Sequence, residues 1–339
     1  MLQVHVLARV WRFKSSRRHM KKIIITGDTA GNRIDKFLVE EVFFNAQCSR
    51  SELVKNIQAG NISVNGKKVK ASYVLKIKDE IRIELPSKET VLSANPKIKL
   101  EILHQDKDII VINKPAGLAV HPTTFEGKDT LVNGLIAKFP EIKNVSDGSS
   151  GSEFRPGIVH RLDKDTSGVM VVARRQEAFD ELKKIFQKHQ ILKKYLVIVQ
   201  GRLEKNQGTI EKAMARSSDY KKQVIANRKT KTKIRSALTE FKVLEEMTEC
   251  SLVEARPQTG RTHQIRVHLN SLGNPVVGDK LYGSKKNRTQ QSAIRQMLHA
   301  ESLSFELFGK THSFRAEPAA DFRQYLTKCQ EKDKIKRLI

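Results

Sequence analysis

The sequence predicts an α+β protein in two parts, a small basic unit followed by a larger domain of interspersed strands and helices. Three observations predict it. Apolar residues switch repeatedly between helical spacing and period-two alternation. A polar, apolar-poor stretch at 88–97, closing on Pro96, separates the two parts as a linker. The chain has 339 residues, 39% of them hydrophobic, enough for more than one core.

Residues 1–22 contain no acid and several Arg and Lys, and read as a basic extension. His5 and Arg9 interrupt its apolar stretch and no small-residue cleavage site follows, which argues against a secretory signal. A start codon assigned ahead of the true one at Met20 is the expectation, with an organellar transit peptide as the alternative. Residues 23–87 form the small unit. Ile34, Phe37, Leu38 and Val42 recur at helical spacing. Ser49 is placed to cap a second helix carrying Leu53 and Ile57 and closed by Gly60. Asn65-Gly66 between alternating apolar residues predicts a hairpin turn, and "VLKIKDEIRIEL" predicts further strands. Arg50, Lys55, Lys67 and Lys68 are offered to solvent, a basic face suited to a polyanion.

Residues 98–328 form the larger domain. "LEILHQDKDIIVINKPAGLAVHP" reads as two strands, a turn at Pro115–Gly117 and a further short strand, and "DTLVNGLIAKF" as a helix. A Ser- and Gly-rich loop precedes "GIVH" and "GVMVVARR", both read as strands. "EAFDELKKIFQKHQI" places Phe179, Leu182 and Phe186 on one helical stripe. "KKYLVIVQG", "ALTEFKVLEEM" and "CSLVEARP" are strands, with a markedly basic stretch at 210–235 between the first two. "THQIRVHLNSLG" is a helix with Ile265, Leu269 and Leu272 aligned and Gly273 as its stop. Residues 329–339 are set apart as a basic tail.

The net charge of +26 points to a polyanionic partner, nucleic acid first and an anionic membrane second. No apolar run approaches the roughly 20 residues of a membrane span. Cys48, Cys250 and Cys329 lie far apart, so the expectation is reduced thiols without a disulfide framework or a zinc site. Asp163, Asp165, Ser167 and Gly168 open like a calcium loop, but Arg174 stands where the bidentate Glu belongs. His263 and His268 are five apart, off a common helix face. No Walker or dinucleotide fingerprint is present, and Ser167 sits outside a nucleophile elbow. Metal, nucleotide cofactor and serine hydrolysis are therefore not expected.

One segment carries more chemistry than a turn requires: "HRLDKDTSG", residues 160–168. Between two strands a loop can present side chains to a cleft. Arg161 and Asp163 share parity, so an extended backbone points both the same way. A carboxylate among cations suits covalent attack or proton removal, not general-acid work, which needs a raised pKa. On the residues alone, a structural turn and a nucleophile both stay open.

"RPGIVHRLDKDTSGVMVVAR" resembles the active-site segment of the RluA-type pseudouridine synthases. The similarity continues through "DIIVINKPAGLAVHP", "KKYLVIVQG", "PQTGRTHQIRVHLNSLGNPVVGDKLYG" and "LHAESLSF", covering about 97–325 in the family's order. The "RIDKFL" helix and "SRS…I..G.I.VNG" likewise resemble the RNA-binding domain named after small-ribosomal-subunit protein four. The resemblance implies a central mixed, largely antiparallel sheet with an RNA cleft across its face. It implies Asp163 as the catalytic aspartate, Tyr195 against the target base, Arg266 pairing with the aspartate, and Arg161 filling the gap left by a flipped uridine. Lys114 and His121 are left a supporting role at most, and His160 a packed one.

The expected activity is isomerisation of uridine in RNA to pseudouridine, on large-subunit ribosomal RNA or, as the alternative, transfer RNA. A bacterial cytoplasmic monomer without cofactor, metal or membrane partner is expected, with an organellar matrix as the second location. The rival reading is a non-catalytic RNA-binding or ribosome-assembly protein that keeps the fold. A metal-dependent nuclease comes third and lacks ligands.

Overall fold

The structure is a computed structural model describing residues 19–39, 50–85, 92–122, 127–149, 151–217, 222–283 and 293–338. The chain divides into two compact units, Met1–Val91 and Leu92–Ile339.

The first unit contains β1 (His19–Ile24), α1 (Ile34–Phe37), α2 (Arg50–Ala59), β2 (Ile62–Val64) and β3 (Glu80–Leu85). Its three strands pair antiparallel in the order β1-β3-β2. Ile34, Phe37, Leu38, Leu53 and Ile57 are buried against Ile62, Ile81 and Ile83, as the helical spacing requires. Val42 and Ser49 lie outside the described residues. Gly60 has φ +86°, and Asn65 and Gly66 both have positive φ, which matches a type I′ turn.

Two boundaries differ from the expectation. His19 to Lys22 pair with Leu85 to Arg82, so a strand of the sheet begins inside the stretch set aside as an extension. Among residues 74–85 only Glu80–Leu85 is a strand. Buried Asp79 accepts hydrogen bonds from Lys76 N (2.8 Å), Asn65 Nδ2 (2.8 Å) and Tyr73 Oη (3.0 Å), and this closes 76–79 into a turn against the alternation.

The second unit runs β4 (Glu101–Gln105), β5 (Ile109–Lys114), α3 (Leu131–Lys138), β6 (Ser167–Ala173), α4 (Gln176–Gln187), β7 (Ile191–Gln200), β8 (Gln207–Glu211), β9 (Met214–Arg216), β10 (Gln223–Ile225), β11 (Leu238–Glu246), β12 (Cys250–Pro257), α5 (Gln264–Asn270), β13 (Leu298–Leu307), β14 (Lys310–Arg315) and α6 (Ala320–Leu338). Nine strands make one sheet in the order β4-β5-β6-β13-β7-β12-β11-β8, with β14 on β13. Every pairing in it is antiparallel except β6 with β13. The short β9 and β10 form a separate ribbon within the basic stretch.

β5 and β6 are near-continuous apolar runs because both their faces are covered. Ile110, Ile112, Met170 and Val172 pack under Leu131 and Leu135 of α3. Ile109, Val111, Val169 and Val171 pack under Phe179 and Leu182 of α4. "GIVH" is not a strand; it contributes only an isolated bridge, Ile158 to Val172. α5 stops at Asn270, so Leu272 falls beyond the helix and is 40% exposed. Residues 329–338 are not a tail but the second half of α6. Buried Asp333 there accepts from Thr248 N and Oγ1, at 2.8 and 2.7 Å.

The parallel contact of β6 with β13 spans two residue pairs, Ser167–His299 and Gly168–Ala300. Here the two halves of the sheet meet, and the loop 160–166 opens beside this junction.

Candidate active site

The loop bearing Asp163 is pinned from four sides. Lys114, at the end of β5, is fully buried and gives its ammonium protons to Pro115 O (2.7 Å), Leu118 O (2.9 Å) and Lys164 O (3.0 Å). Burial pushes this group down to about 7, against the upward pull of Asp165 and Asp163. Arg295 donates to Asp165 O (3.1 Å) while its Nε and Nη2 hold Asp321 at the start of α6 (2.6 and 2.8 Å). His299 Nε2 faces Ala316 O at 3.0 Å, so that nitrogen carries the proton and Nδ1 accepts from Ser167 Oγ at 3.0 Å. Thr166 N returns to Asp163 O at 3.1 Å, closing the turn. His160 is a packing residue: its Nε2 accepts from Val171 N (3.0 Å) and its ring stacks on Phe186 (4.6 Å). Most of "HRLDKDTSG" thus serves to fix one carboxylate.

That carboxylate meets α5. Arg266 is 5% exposed. Its Nη1 donates to Asp163 Oδ2 at 2.9 Å, and its Nε and Nη2 fork onto Asp279 at 2.6 and 2.8 Å. Burial opposes the Arg266 charge, but Asp279 and Asp163 more than offset this and raise its pKa. Asp279 is itself buried and accepts from Leu281 N and Tyr282 N. A guanidinium held this way has no freedom to swing, so it fixes the position of Asp163 Oδ2.

Tyr195 stands on β7 opposite Ala255 of β12 and Ala300 of β13, two small neighbours that leave room for the ring. Burial, then the charge of Asp163, raises the Tyr195 hydroxyl, so it stays protonated at neutral pH. Arg161 is exposed, and its charge is felt by His121 and His263 at the edge of the same site. His121 is driven down to about 4 by burial first and then by Arg161 and Arg155. Its Nδ1 has no partner among the described residues.

The structure therefore brings Asp163, Arg266 and Tyr195 together, with Arg161 at the rim. Lys55, Lys67 and Lys68 are exposed on the first unit; Arg50 begins α2, and its side chain lies outside the described residues. Sequence reasoning missed Asp279, Arg295, His263 and Tyr282. They lie 13 to 130 positions from their partners in the loop or about α5, and only their place in motif segments such as "GDKLYG" could have flagged them.

Among the described residues there is no group of three metal-ligating side chains and no helix long and apolar enough to cross a membrane. Residues 108–271 match the family model described as RNA pseudouridylate synthase, and 33–81 match the S4 domain. An RNA pseudouridine synthase of Bacillus subtilis is 35% identical over 289 residues, covering 85% of this chain and 90% of that one. The chain belongs to the RNA pseudouridine synthases. Ribosomal large subunit pseudouridine synthase D of Zymomonas mobilis is 34% identical over 318 residues, 89% of this chain and 95% of the relative. Among solved structures, human RNA pseudouridylate synthase domain containing 1 superposes with a TM-score of 0.54 at 27% identity, covering 69% of this chain and 86% of that one. The synthase converts uridine in RNA to pseudouridine, and its first unit is an S4 RNA-binding domain.

Proposed function

We propose that the synthase modifies large-subunit ribosomal RNA and that Asp163 is its catalytic carboxylate. The isomerisation breaks the bond from ribose C1′ to uracil N1 and forms one to C5. A proton leaves C5 and N1 gains one, so no oxidant or added group is needed. The observation that carries the assignment is the chain Asp279–Arg266–Asp163 ending beside Tyr195, a carboxylate oriented by a buried fork next to an aromatic face.

The target base reaches this site only outside the helical stack, at a cost of a few kcal/mol. Arg161 at the rim offsets part of that cost by stacking where the base was. Tyr195 supplies a face worth about 1–3 kcal/mol to the extruded base. Lys55, Lys67 and Lys68 of the S4 unit hold phosphates. The match to relatives named for the ribosomal large subunit supports the RNA class and a bacterial cytoplasmic setting.

Mapping pseudouridine in total RNA from a deletion strain tests the target. Sites lost from large-subunit ribosomal RNA are expected; sites lost only from transfer RNA overturn it. Complementation with Asp163→Asn is expected to restore no modification while RNA affinity persists, because many cations carry binding and one carboxylate carries chemistry. Turnover by Asp163→Asn would remove the carboxylate from its role.

A further inference from the structure

Arg266 addresses one oxygen of Asp163; the other faces a second pair of side chains. His263 directly precedes α5 with φ +57° and ψ +18°, a left-handed conformation uncommon outside glycine. This backbone turns its ring toward the loop, placing Nε2 3.8 Å from Asp163 Oδ1. On its far side, Nδ1 lies 2.8 Å from Tyr282 Oη. Tyr282 Oη already accepts from Gln223 N, at 2.9 Å, the first residue of β10 in the basic ribbon. With that acceptor position taken by an N–H, the hydroxyl proton is free to go to His263 Nδ1. The ring of Tyr282 is in turn set under the Arg266 guanidinium, 5.1 Å from its centre.

We propose that His263 and Tyr282 form a positioning pair for the catalytic carboxylate: Tyr282 keeps the His263 proton on Nε2, and that N–H holds Asp163 Oδ1. This rests on the reading of Asp163 as the catalytic carboxylate. Asp163 is then bracketed, Oδ2 by Arg266 and Oδ1 by His263, which leaves it one orientation rather than a swing about χ2. The 3.8 Å approach closes to a hydrogen bond when substrate seats, as unliganded sites commonly tighten. Burial first, then Arg266 and Arg161, lowers the His263 pKa against the pull of Asp163 and Asp279, so the ring is neutral and has one proton to place. The same contacts tie the basic ribbon to the carboxylate through Gln223 N, Tyr282 and His263.

Single-turnover conversion is measured on total RNA from cells lacking the gene, for wild type, His263→Asn, His263→Gln and Tyr282→Phe, beside RNA affinity. Asparagine accepts the left-handed backbone, so His263→Asn keeps the turn and removes the reach to Oδ1. A rate loss of about 10–100-fold with unchanged affinity is expected, since small misplacements cost this much. His263→Gln, whose amide N–H extends as far as Nε2, recovers part of it, and Tyr282→Phe falls between. A nitrogen NMR spectrum with ring-labelled histidine, assigned by the His263→Asn loss, shows the proton on Nε2 in wild type and no such preference in Tyr282→Phe. A merely structural His263 would leave the single-turnover rate unchanged at unchanged affinity and would not be rescued by glutamine. A wild-type rate for His263→Asn, or the proton on Nδ1 in wild type, overturns the pairing. Asp163→Asn run in parallel separates the two failures: if it is active, the reading of Asp163 has failed; if it is inactive while His263→Asn runs at full rate, only the pairing has failed.

Discussion

Gly168 and Ala300 meet backbone to backbone where β6 lies parallel to β13. A Cβ on Gly168 would come inside 3.0 Å of the Ala300 carbonyl, amide nitrogen and carbonyl carbon together, and Gly168 has φ +121°. Any side chain here pushes β6 away from β13 and moves the end of the loop that carries Asp163. Gly168→Ala is expected to cost on the order of 3 kcal/mol, from overpacking and backbone strain combined. Thermal denaturation reads this; an unchanged melting temperature would mean that the strands separate freely.

Tyr195→Phe keeps the ring between Ala255 and Ala300 and loses only the hydroxyl. It should bind RNA as wild type does and lose rate. Tyr195→Ala also loses the stacking face, worth about 1–3 kcal/mol. Equal single-turnover rates for wild type and both variants would place Tyr195 outside the site.

Lys114 links stability to pH. Its folded value of about 7 lies below the unfolded value of about 10.4. Between these the unfolded chain holds more protons than the folded one, so raising pH favours the fold. Denaturant titrations from pH 7 to 10 should show wild type gaining stability relative to Lys114→Met. At pH 7 the methionine variant leaves Pro115, Leu118 and Lys164 carbonyls without the donor they share, at a cost of about 1–3 kcal/mol for each oxygen left dry. A difference flat across this range would mean that Lys114 does not titrate there.

Removing residues 1–91 should weaken RNA capture and spare the saturated rate, because the remaining unit carries Asp163, Tyr195, Arg266 and its own cores. Each phosphate that Lys55, Lys67 or Lys68 no longer neutralises should flatten the salt dependence of binding by about one unit of slope. A saturated rate that collapses in a folded truncation would assign the S4 unit a part in the chemistry.

Much of the fold was legible because local patterns and global packing agree. The apolar runs of β5 and β6, the stripe Phe179–Leu182 and the Asn65-Gly66 turn each state their own environment. The misreadings are places where a distant partner overrules the local pattern. Asp79 bends an alternating stretch into a turn, and "GIVH" keeps one bridge to β6 while Gly157 N goes instead to Val145 O. The site divides the same way. Nothing local in "VVGDKLYG" says that Asp279 holds Arg266, since the bond depends on where two separate segments land.

Arg295 joins Asp321 of α6 to the backbone of Asp165, so the loop bearing Asp163 is anchored by residues made about 130 to 160 positions later. During translation β4 to β6 and the Asp163 loop leave the ribosome well before Arg266, Arg295 and α6 exist to hold them. The nascent chain therefore holds this loop only by its earlier partners, Lys114 and the Thr166–Asp163 turn, until Arg266, Arg295 and α6 are made. The S4 unit, by contrast, is complete in sequence before β4 is made. The order of residues along the chain thus separates the two parts: the S4 unit is whole before the last anchors of the Asp163 loop are made.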